Sequence, residues 1–466
     1  MPSWATQELQ TANFRDARLT KRLIRMVEDF AAQPTASVPQ ACGSWAATKA
    51  AYNFWDSDRV TPTAIRAAHT DRTQTRIASH ATILVIQDTT EIDVTDHPAT
   101  QDVGYLDHPK RRGLKVHSAL AATIDGVPLG LLHQAVWRRD PAQVGKKHTR
   151  SQRTTAEKES QRWLTAFQVT QAALPQTTQV ITIADREADL YDLFAAPRLA
   201  THQLLIRAAY NRTVQHAAHR LWEASHQSPV LGTLTTTLPR GDDRPARSAT
   251  LQIRATTLGI QPPQNRTARA NLATIPLQVV LVTEVAPPAG VKAVEWLLMT
   301  TLPVDTLEDA IQVIDWYRLR WLIERYHYVL KSGCQVEKLQ LETAAALERA
   351  LATYCIVAWR LLWLTYEARQ RPDAPCTEVL APHEWQALYC TIHRTPSAPI
   401  DAPPPLSQAV RWIAQLGGLL GRRGDGEPGV KVIWRGLRRL DDIVATWVLL
   451  HGLEPRQLDT SLMGNG

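Results

Sequence analysis

The sequence predicts an α/β protein with an inserted β-rich segment and helical regions at both ends. From residue 82 onwards, short apolar runs rich in β-branched residues alternate with helical patterns, as in an α/β core. Threonine-rich stretches with alternating apolar residues over about 208–295 indicate inserted strands. Helical periodicity dominates residues 12–70 and most of the chain beyond residue 307. The α/β core therefore lies between two helical regions.

The N-terminal helical region begins with a basic helix over residues 12–31. Four arginines spaced by three, four and three residues share one face of this helix: Arg15, Arg18, Arg22 and Arg25. A stripe of one charge sign suits contact with phosphate groups, and an ordinary solvated helix face gives the same pattern. Two further helices are predicted over residues 44–56 and 61–77.

The core is predicted from a strand, a hairpin, a helix and a second strand. Residues 82–86 (TILVI) and 179–183 (QVITI) are short apolar runs typical of buried strands. The hairpin over residues 113–138 turns at Asp125-Gly126, and a helix is predicted over residues 155–174. Helical signals also follow from Glu187.

The remaining elements follow in order along the chain. The insertion contains predicted strands over 230–238, 248–258 and 274–285, and a loop with three arginines, Arg240, Arg244 and Arg247. A last strand is predicted over 296–301 and helices over 307–330 and 344–369. A proline-rich linker with short helical pieces is expected over 372–405, followed by helices broken by glycines 417–426 within 406–453.

The overall charge favours a polyanionic partner. The 466-residue chain carries a net charge of +7 at pH 7, which points to nucleic acid or an anionic membrane surface. The longest apolar run, residues 350–359, is bounded by Arg349 and Arg360 and is too short to span a bilayer. The N-terminus lacks the layout of a signal peptide. Five cysteines without a CxxC pair predict reduced thiols in a cytoplasmic protein.

The helix predicted over residues 307–330 carries the clearest chemical pattern. Four polar residues, the last one just beyond this range, fall within a wedge of roughly 60° on a helical wheel: Tyr317, Arg320, Glu324 and Lys331. Apolar residues cluster on the opposite side of the wheel. Cations and a phenol around one carboxylate suit a nucleic-acid site. A surface helix with an Arg320–Glu324 ion pair gives the same pattern.

Two further acidic residues follow predicted strands. Asp88 lies just past the strand at 82–86, and Asp185 lies at the end of the strand at 179–183. Carboxylates at the ends of core strands reach a site at the sheet edge. Together with Glu324 they could hold two divalent ions, and such oxygen ligands favour Mg²⁺ or Mn²⁺ over zinc. For Asp185, capping of the following helix is a rival interpretation.

These residues match a known motif. The spacing Tyr317–Arg320–Glu324–Lys331 resembles the signature of the fourth insertion-sequence family of bacterial transposases, which are cut-and-paste enzymes with an Asp-Asp-Glu site. Further matching stretches follow in order along the chain: 50–54 (AAYNF), 87–91 (QDTTE), 130–134 (GLLHQ), 157–160 (EKES), 185–189 (DREAD), 244–247 (RPAR) and 296–298 (WLL). The chain therefore resembles this family over its full length.

The resemblance implies a domain plan and an active site. It implies an RNase-H-like mixed-sheet catalytic core at residues 76–369 that contains the β insertion at about 208–295. A helical N-terminal domain (1–75) would bind the transposon end, and a helical C-terminal domain (370–466) would mediate dimerisation. Asp88, Asp185 and Glu324 would form the catalytic triad and hold two Mg²⁺ ions per site, with Mn²⁺ able to substitute.

The resemblance also implies a substrate and a reaction sequence. A homodimer without membrane attachment would act on double-stranded DNA, at transposon inverted repeats and at a target, in the nucleoid of a bacterial cytoplasm. The expected steps are nicking of the end, hairpin formation, hairpin opening and strand transfer. Two other interpretations remain open. One is a catalytically silent DNA-binding relative, and the other is a structure-specific nuclease that does not join strands.

Further DNA contacts are implied by position within the family. Tyr317, Arg320 and Lys331 are expected to bind DNA. Trp296 matches a tryptophan that supports a base flipped out during hairpin formation, and Arg207 matches an arginine that contacts nearby phosphates. Packing in a strand is the alternative for Trp296, and a solvated surface position is the alternative for Arg207.

Two differences from the family pattern bear on DNA recognition. Arg325 stands where the resembled enzyme has glutamate, and Tyr328 replaces a lysine. Both residues lie outside the triad, so they leave the expected chemistry in place. The preference for particular end sequences is therefore not carried over from the family.

Overall fold

Contacts within the chain divide it into two compact units. The computed structural model describes residues 3–108, 110–140, 158–238, 246–264, 269–399, 401–422 and 424–452. The first unit comprises Met1–Arg72, Ile92–Leu114 and Arg325–Gly466, and the second comprises Thr73–Glu91 and Lys115–Glu324. Arg240, Arg244 and the first residues of the helix predicted over 155–174 lie outside the described residues, as do residues 453–466.

The regular elements are named here in chain order. The helices are α1 (Trp4–Leu9), α2 (Ala17–Ala32), α3 (Val38–Cys42), α4 (Trp45–Asp56), α5 (Pro62–Ile77), α6 (Gln161–Ala173), α7 (Tyr191–Ala195), α8 (Leu221–Gln227), α9 (Leu307–Arg318), α10 (Trp321–Tyr328), α11 (Ala344–Gln370), α12 (Pro382–His393), α13 (Leu406–Leu416) and α14 (Val430–Leu450). The strands are β1 (Thr82–Asp93), β2 (Gly104–Tyr105), β3 (Arg112–Thr123), β4 (Pro128–Trp137), β5 (Gln179–Ala184), β6 (His202–Arg207), β7 (Val214–Gln215), β8 (Val230–Leu238), β9 (Arg247–Ile260), β10 (Ile275–Val285) and β11 (Glu295–Thr300).

The second unit is built on a mixed β sheet. Its strands follow the order β3, β1, β5, β6, β11, β10, β9, β7, with β4 paired to β3 and β8 paired to β9. The central strands β1, β5 and β6 are parallel neighbours, whereas β6–β11–β10–β9 and the β3–β4 hairpin are antiparallel. Fully buried apolar runs in β1 and β5 explain why these strands lie in the middle of the sheet. The predicted mixed-sheet α/β core is confirmed.

The predicted hairpin is confirmed and contacts a helix break. β3 and β4 pair antiparallel around Gly126, which adopts a φ of +90° that L side chains rarely adopt. A Cβ atom at this glycine would lie 3.0 Å from Cδ2 of Leu319, the residue that follows α9. The turn therefore needs glycine both for its backbone conformation and for the space beside Leu319.

The β insertion continues the sheet of the core. β11 pairs with β6 on one side and with β10 on the other, so the inserted strands extend the same sheet. The insertion also contains the helix α8, which the threonine-rich sequence did not predict. Its apolar side chains pack with those of α6 and α7 into one buried cluster that includes Trp163, Phe167 and Phe194.

The prediction of a single long helix over residues 307–330 is wrong. α9 begins with a capping box between Thr306 and Asp309 and ends at Arg318. At the break, the amide N–H groups of Leu319 and Arg320 donate to carbonyl groups three residues back, and α10 starts at Trp321. A π-helical turn, Val329–Gly333, follows α10. The wheel that placed Tyr317 and Lys331 with Glu324 on one regular helix therefore does not apply.

The first unit is helical and has an aromatic core. The ring of Phe30 (α2) stacks on Tyr354 (α11) with centroids 4.8 Å apart and on Trp55 (α4) at 5.7 Å. The indole N–H of Trp55 donates to the hydroxyl of Thr353, and the Arg349 guanidinium donates to the carbonyl of Trp55. The N-terminal helices are thus fixed to α11 by stacked rings and buried hydrogen bonds.

Two helix boundaries in the first unit differ from prediction. Arg15 precedes α2 with a φ of +57°, because the side chain of Asp16 accepts from Arg18 N–H and caps the helix at Ala17. Arg15 is therefore not on the helix face with the other three arginines. The proline-rich segment contains a full helix, α12, in which Pro382 occupies the first turn, where proline is tolerated.

Other sequence expectations hold. The two C-terminal helices α13 and α14 flank the glycine-rich break as predicted. All five cysteines are free and buried, in agreement with the predicted reduced thiols. Within the described ranges, no helix combines the length and the apolar character needed to cross a membrane.

The stacked rings of the first unit yield a stability prediction. Phe30→Ala removes a ring that is 1% exposed, and we expect it to lower the free energy of unfolding by about 3–5 kcal/mol. Trp45→Ala is the matched control, because this indole is 80% exposed and its loss should change stability by no more than about 0.5 kcal/mol. Urea denaturation of both variants measures the difference, and equal effects would contradict the aromatic core.

Candidate active site

The pairing of two parallel strands places two carboxylates at the same height in the sheet. Ile86 of β1 pairs with Ile183 of β5, so that Asp88 and Asp185, each two residues further on, lie at the same height. β1 continues to Asp93, so Asp88 lies within the strand. The sequence had predicted that Asp88 lies just past the end of the strand. The apolar runs that precede each aspartate bury the strands and thereby fix this position.

Asp185 also caps the turn that follows it. Its Oδ1 accepts a hydrogen bond of 2.9 Å from the N–H of Glu187 at the start of a 3₁₀ turn, Arg186–Ala188. The capping interpretation is therefore correct for this residue, and the same side chain is close enough to Asp88 to influence its ionisation. Capping and a place beside Asp88 do not exclude each other.

Glu324 is joined to Asp88 through an arginine. Nη2 of Arg320 lies 2.5 Å from Oε1 of Glu324, one helical turn away on α10, and Nη1 lies 3.9 Å from Oδ2 of Asp88. The side chain of Arg320 is only 15% exposed, so its positive charge is poorly screened by solvent. Burial acts to lower the pKa of Arg320, but Tyr317, Glu324 and Asp88 raise it above its usual value.

The ionisation of Asp88 reflects this environment. Burial and the neighbouring carboxylate of Asp185 raise the pKa of Asp88 from 3.8 to about 7. The N–H of Thr89 and the charge of Arg320 act in the opposite direction, and Glu324 adds to the increase. Burial and the two neighbouring carboxylates therefore outweigh the positive charge of Arg320 in setting the pKa of Asp88.

A second cluster adjoins Arg320. The rings of Trp296 and Tyr317 meet edge to face with centroids 5.8 Å apart, and the guanidinium of Arg207 lies 6.0 Å from the Trp296 ring. Tyr317 interacts electrostatically with both Arg207 and Arg320, and burial raises the pKa of its hydroxyl. The structure thus brings four of the predicted DNA-contact residues into one connected group beside the carboxylates.

The remaining predicted residues lie in the first unit. The ammonium group of Lys331 pairs with Glu337 at 3.0 Å. Arg18 pairs with Asp16 and Arg25 pairs with Asp29, while Arg22 is half-buried. Arg15 and Arg18 are exposed, and Lys21 adds a third exposed cation on the same segment.

Family comparisons match three successive parts of the chain. A family model described as "Transposase DDE domain" matches residues 80–360, which is more than half of the chain. The chain belongs to the DDE transposase family. A model described as "Transposase DNA-binding" matches residues 1–60, and one described as "Transposase Tn5 dimerisation domain" matches residues 356–448. The predicted resemblance to bacterial transposases of the transposon-five type is thereby confirmed.

Membership of the family establishes the general activity of this transposase. A DDE domain transfers phosphoryl groups with the help of divalent cations, and the other two domains provide DNA binding and dimer formation. The carboxylates are chemically suited to such a cation, because they are hard oxygen ligands. Within the described part of the chain, however, no three acidic, histidine or cysteine side chains converge as a ligand group. Arg320 occupies the space between Glu324 and Asp88 instead.

Sequence reasoning missed a polar group behind Asp88. The hydroxyl of Thr89 contacts both His117 and Arg162, and Arg162 also reaches Glu187, two residues after Asp185. One signal could have found it, because Arg162 is the single charged residue in α6. A lone charge in an otherwise uncharged helix indicates a specific partner.

The raised pKa of Asp88 predicts a pH-dependent stability effect. A carboxyl whose pKa is raised by folding costs no stability below its unfolded pKa of 3.8. Its cost to the free energy of unfolding then grows with pH and is complete above about 7. Asp88→Asn should therefore stabilise the metal-free protein more at pH 8 than at pH 4.5, by about 3 kcal/mol. Urea denaturation in EDTA at the two pH values tests this. An equal effect at both values, or a larger one at pH 4.5, would refute it.

Proposed function

We propose that this protein is an active cut-and-paste transposase whose catalytic residues are Asp88, Asp185 and Glu324. The observation that carries the proposal is the level placement of Asp88 and Asp185 on parallel strands, with Glu324 linked to Asp88 through Arg320. Asp88 and Asp185 offer hard carboxylate oxygens at one partly buried position, and release of Glu324 from Arg320 would add a third carboxylate for a divalent cation. Two Mg²⁺ ions per site, with Mn²⁺ as a substitute, are proposed on this basis.

The triad would hold the cations through its carboxylate oxygens. When bound, two such ions stabilise the attacking and the leaving oxygen of an in-line phosphoryl displacement. Asp88 gives up its proton more readily once a positive charge lies beside it, so that it is available as a ligand at neutral pH. Arg320 would release Glu324 and turn towards the DNA backbone, where its guanidinium suits a phosphate group.

One site can serve all the proposed steps because each is the same displacement at phosphorus. Water first nicks one strand at the transposon end, and the freed 3′-hydroxyl attacks the opposite strand to form a hairpin. A second water molecule opens the hairpin, and the new 3′-hydroxyl attacks target DNA. The three carboxylates stay in place while the nucleophile and the DNA strand change.

The cluster beside Arg320 would hold the DNA distorted by hairpin formation. Trp296 is half-buried, and its ring rests on Tyr317 and Arg207, which limits its rotation. A fixed aromatic ring suits a base that leaves the stack, and Arg207 suits the phosphates on either side of that base. Tyr317 joins the two groups through its hydroxyl and would contact the backbone from there.

The helical regions would recognise and pair the DNA ends. We propose residues 1–75 as the end-binding domain, with the exposed cations Arg15, Arg18 and Lys21 close to phosphate groups. Residues 370–466 would mediate dimerisation, since two inverted repeats must be cut together. Lys331 is proposed to contact DNA after release from Glu337. Such a protein acts in the cytoplasm, where the nucleoid supplies its substrate.

Cleavage of labelled DNA bearing the element's own inverted repeats tests the function. Wild-type protein with Mg²⁺ should cut the ends and join them to a target plasmid. Asp88→Asn, Asp185→Asn and Glu324→Gln keep the side-chain shapes, so each should slow cutting by more than about 100-fold while end binding in EDTA persists. Glu308→Gln on α9 is a matched control that should cut normally, because this glutamate lies in the first turn of another helix.

The outcomes separate the competing functions. Cutting without joining would point to a structure-specific nuclease, and binding without cutting by the wild type would point to a silent DNA-binding relative. Normal cutting by one triad variant would remove that residue from the catalytic set.

The role of Trp296 has a test of its own. Trp296→Ala should slow hairpin formation at least about 10-fold more than first-strand nicking, because a base without its stacking partner loses roughly 1–3 kcal/mol. Trp222→Ala is the control, because this partly buried tryptophan packs on the hydrophobic cluster of the second unit. Timed sampling on denaturing gels resolves the nicked and hairpin products. Equal slowing of both steps would indicate that Trp296 serves only in packing.

A further inference from the structure

Arg162 connects the chain segments that carry Asp88 and Asp185. Its Nε donates to the hydroxyl of Thr89 at 2.8 Å, next to Asp88 on β1. Its Nη2 lies 2.6 Å from Oε2 of Glu187, in the 3₁₀ turn that Asp185 caps. The third nitrogen, Nη1, donates to the carbonyl of Glu159 at 2.9 Å. Every nitrogen of this guanidinium is therefore used, and two of the three bonds reach the two aspartate segments.

Aromatic rings and burial fix the position of the guanidinium. The Cζ atom of Arg162 lies 5.6 Å from the ring of Trp137 and 5.4 Å from that of Trp163. The side chain is only 14% exposed. Glu159 is in turn fixed by Arg139 and by the indole N–H of Trp137. A planar group fixed in this way cannot follow one partner without moving the other.

The contact with Thr89 is itself directed by a buried histidine. The ring of His117 is fully buried, with Nε2 at 3.2 Å from the side-chain carbonyl of Gln87 and Nδ1 at 2.9 Å from the Thr89 hydroxyl. The carbonyl requires a proton on Nε2, so Nδ1 accepts from the hydroxyl. The lone pairs of Thr89 then remain for Arg162, and the backbone on either side of Asp88 is held in one conformation.

We propose that Arg162 is a positioning residue that fixes the separation of Asp88 and Asp185, so that both carboxylates are arranged to bind a divalent cation. The inference rests on the proposed function and adds a residue to it. Strand pairing ends before both aspartates, since the last paired residues are Ile86 and Ile183. Beyond that point the Thr89–Arg162–Glu187 connection joins the two segments. Groups that orient metal ligands affect affinity nearly as strongly as the ligands themselves.

Direct metal binding distinguishes this role from simple stabilisation. Titration calorimetry with Mn²⁺ on the full chain should give about 10- to 100-fold weaker binding for Arg162→Met than for the wild type. Arg162→Lys should fall between them, because one ammonium group cannot replace the fork of three nitrogens. The control is Arg198→Met, which removes an exposed arginine that donates to the Phe194 carbonyl, and it should bind Mn²⁺ normally. The metal concentration for half-maximal cleavage should shift by the same factors.

A double-mutant cycle locates the effect in the connection itself. Thr89→Val and Glu187→Met each remove one partner of Arg162, and each should weaken Mn²⁺ binding in the wild-type background. In the Arg162→Met background the same substitutions should have little further effect, because the connection is already lost. If Arg162→Met does not fold, the cycle is run with Arg162→Lys, in which the fork is also absent.

Three results would overturn the proposal. Unchanged Mn²⁺ affinity in Arg162→Met would show that the residue only stabilises the fold. Weaker binding of end DNA in EDTA would make Arg162 a phosphate contact. Additive effects in the cycle would mean that the three residues act separately. Failure of the wild type itself to bind Mn²⁺ or cut DNA would instead defeat the proposed function, and the positioning role with it.

Discussion

The parallel register of β1 and β5 is the constraint on which the site depends. It sets Asp88 and Asp185 at the same height, and the apolar runs before them leave the strands no other way to bury their side chains. The two carboxylates consequently repel each other in a poorly solvated place, and the pKa of Asp88 rises to about 7. The fold thus maintains an unfavourable arrangement of charge that a divalent cation would relieve.

Arg320 is the internal counter-charge in the absence of a cation. It bonds Glu324 on α10 and reaches Asp88 on the sheet, so one guanidinium serves two carboxylates. The break between α9 and α10 changes the helix path between Tyr317 and Arg320, whose side chains interact electrostatically. Tyr317, Arg320 and Glu324 are therefore connected through contacts across a helix break and not through one helix face.

The sequence predicted the elements that depend on local residue chemistry. It did not predict the features that depend on tertiary contacts. Buried strands, the Gly126 turn and the glycine break before α14 follow from composition and turn residues. The break after Arg318 contains neither glycine nor proline, and the nearby hairpin turn against Leu319 could not be read from the sequence. Likewise, Arg15 lies outside α2 because Asp16 caps the helix at Ala17. The spacing of the arginines alone does not show where a helix is capped.

The alternation of β1 explains why the sequence pointed to Asp88 and not to the residues that support it. Successive residues of a strand point to opposite faces, so Asp88 faces the site while Gln87 and Thr89 face away from it towards His117 and Arg162. A motif search selects the carboxylate because its chemistry is known in advance. The role of Thr89 on the other face can be recognised only in the structure, where α6 places the guanidinium of Arg162, 73 positions further along the chain, against it. In the proposed site, one strand would therefore carry both a metal ligand, Asp88, and the residue that positions it, so a substitution at Thr89 is expected to act on the site without contacting the metal.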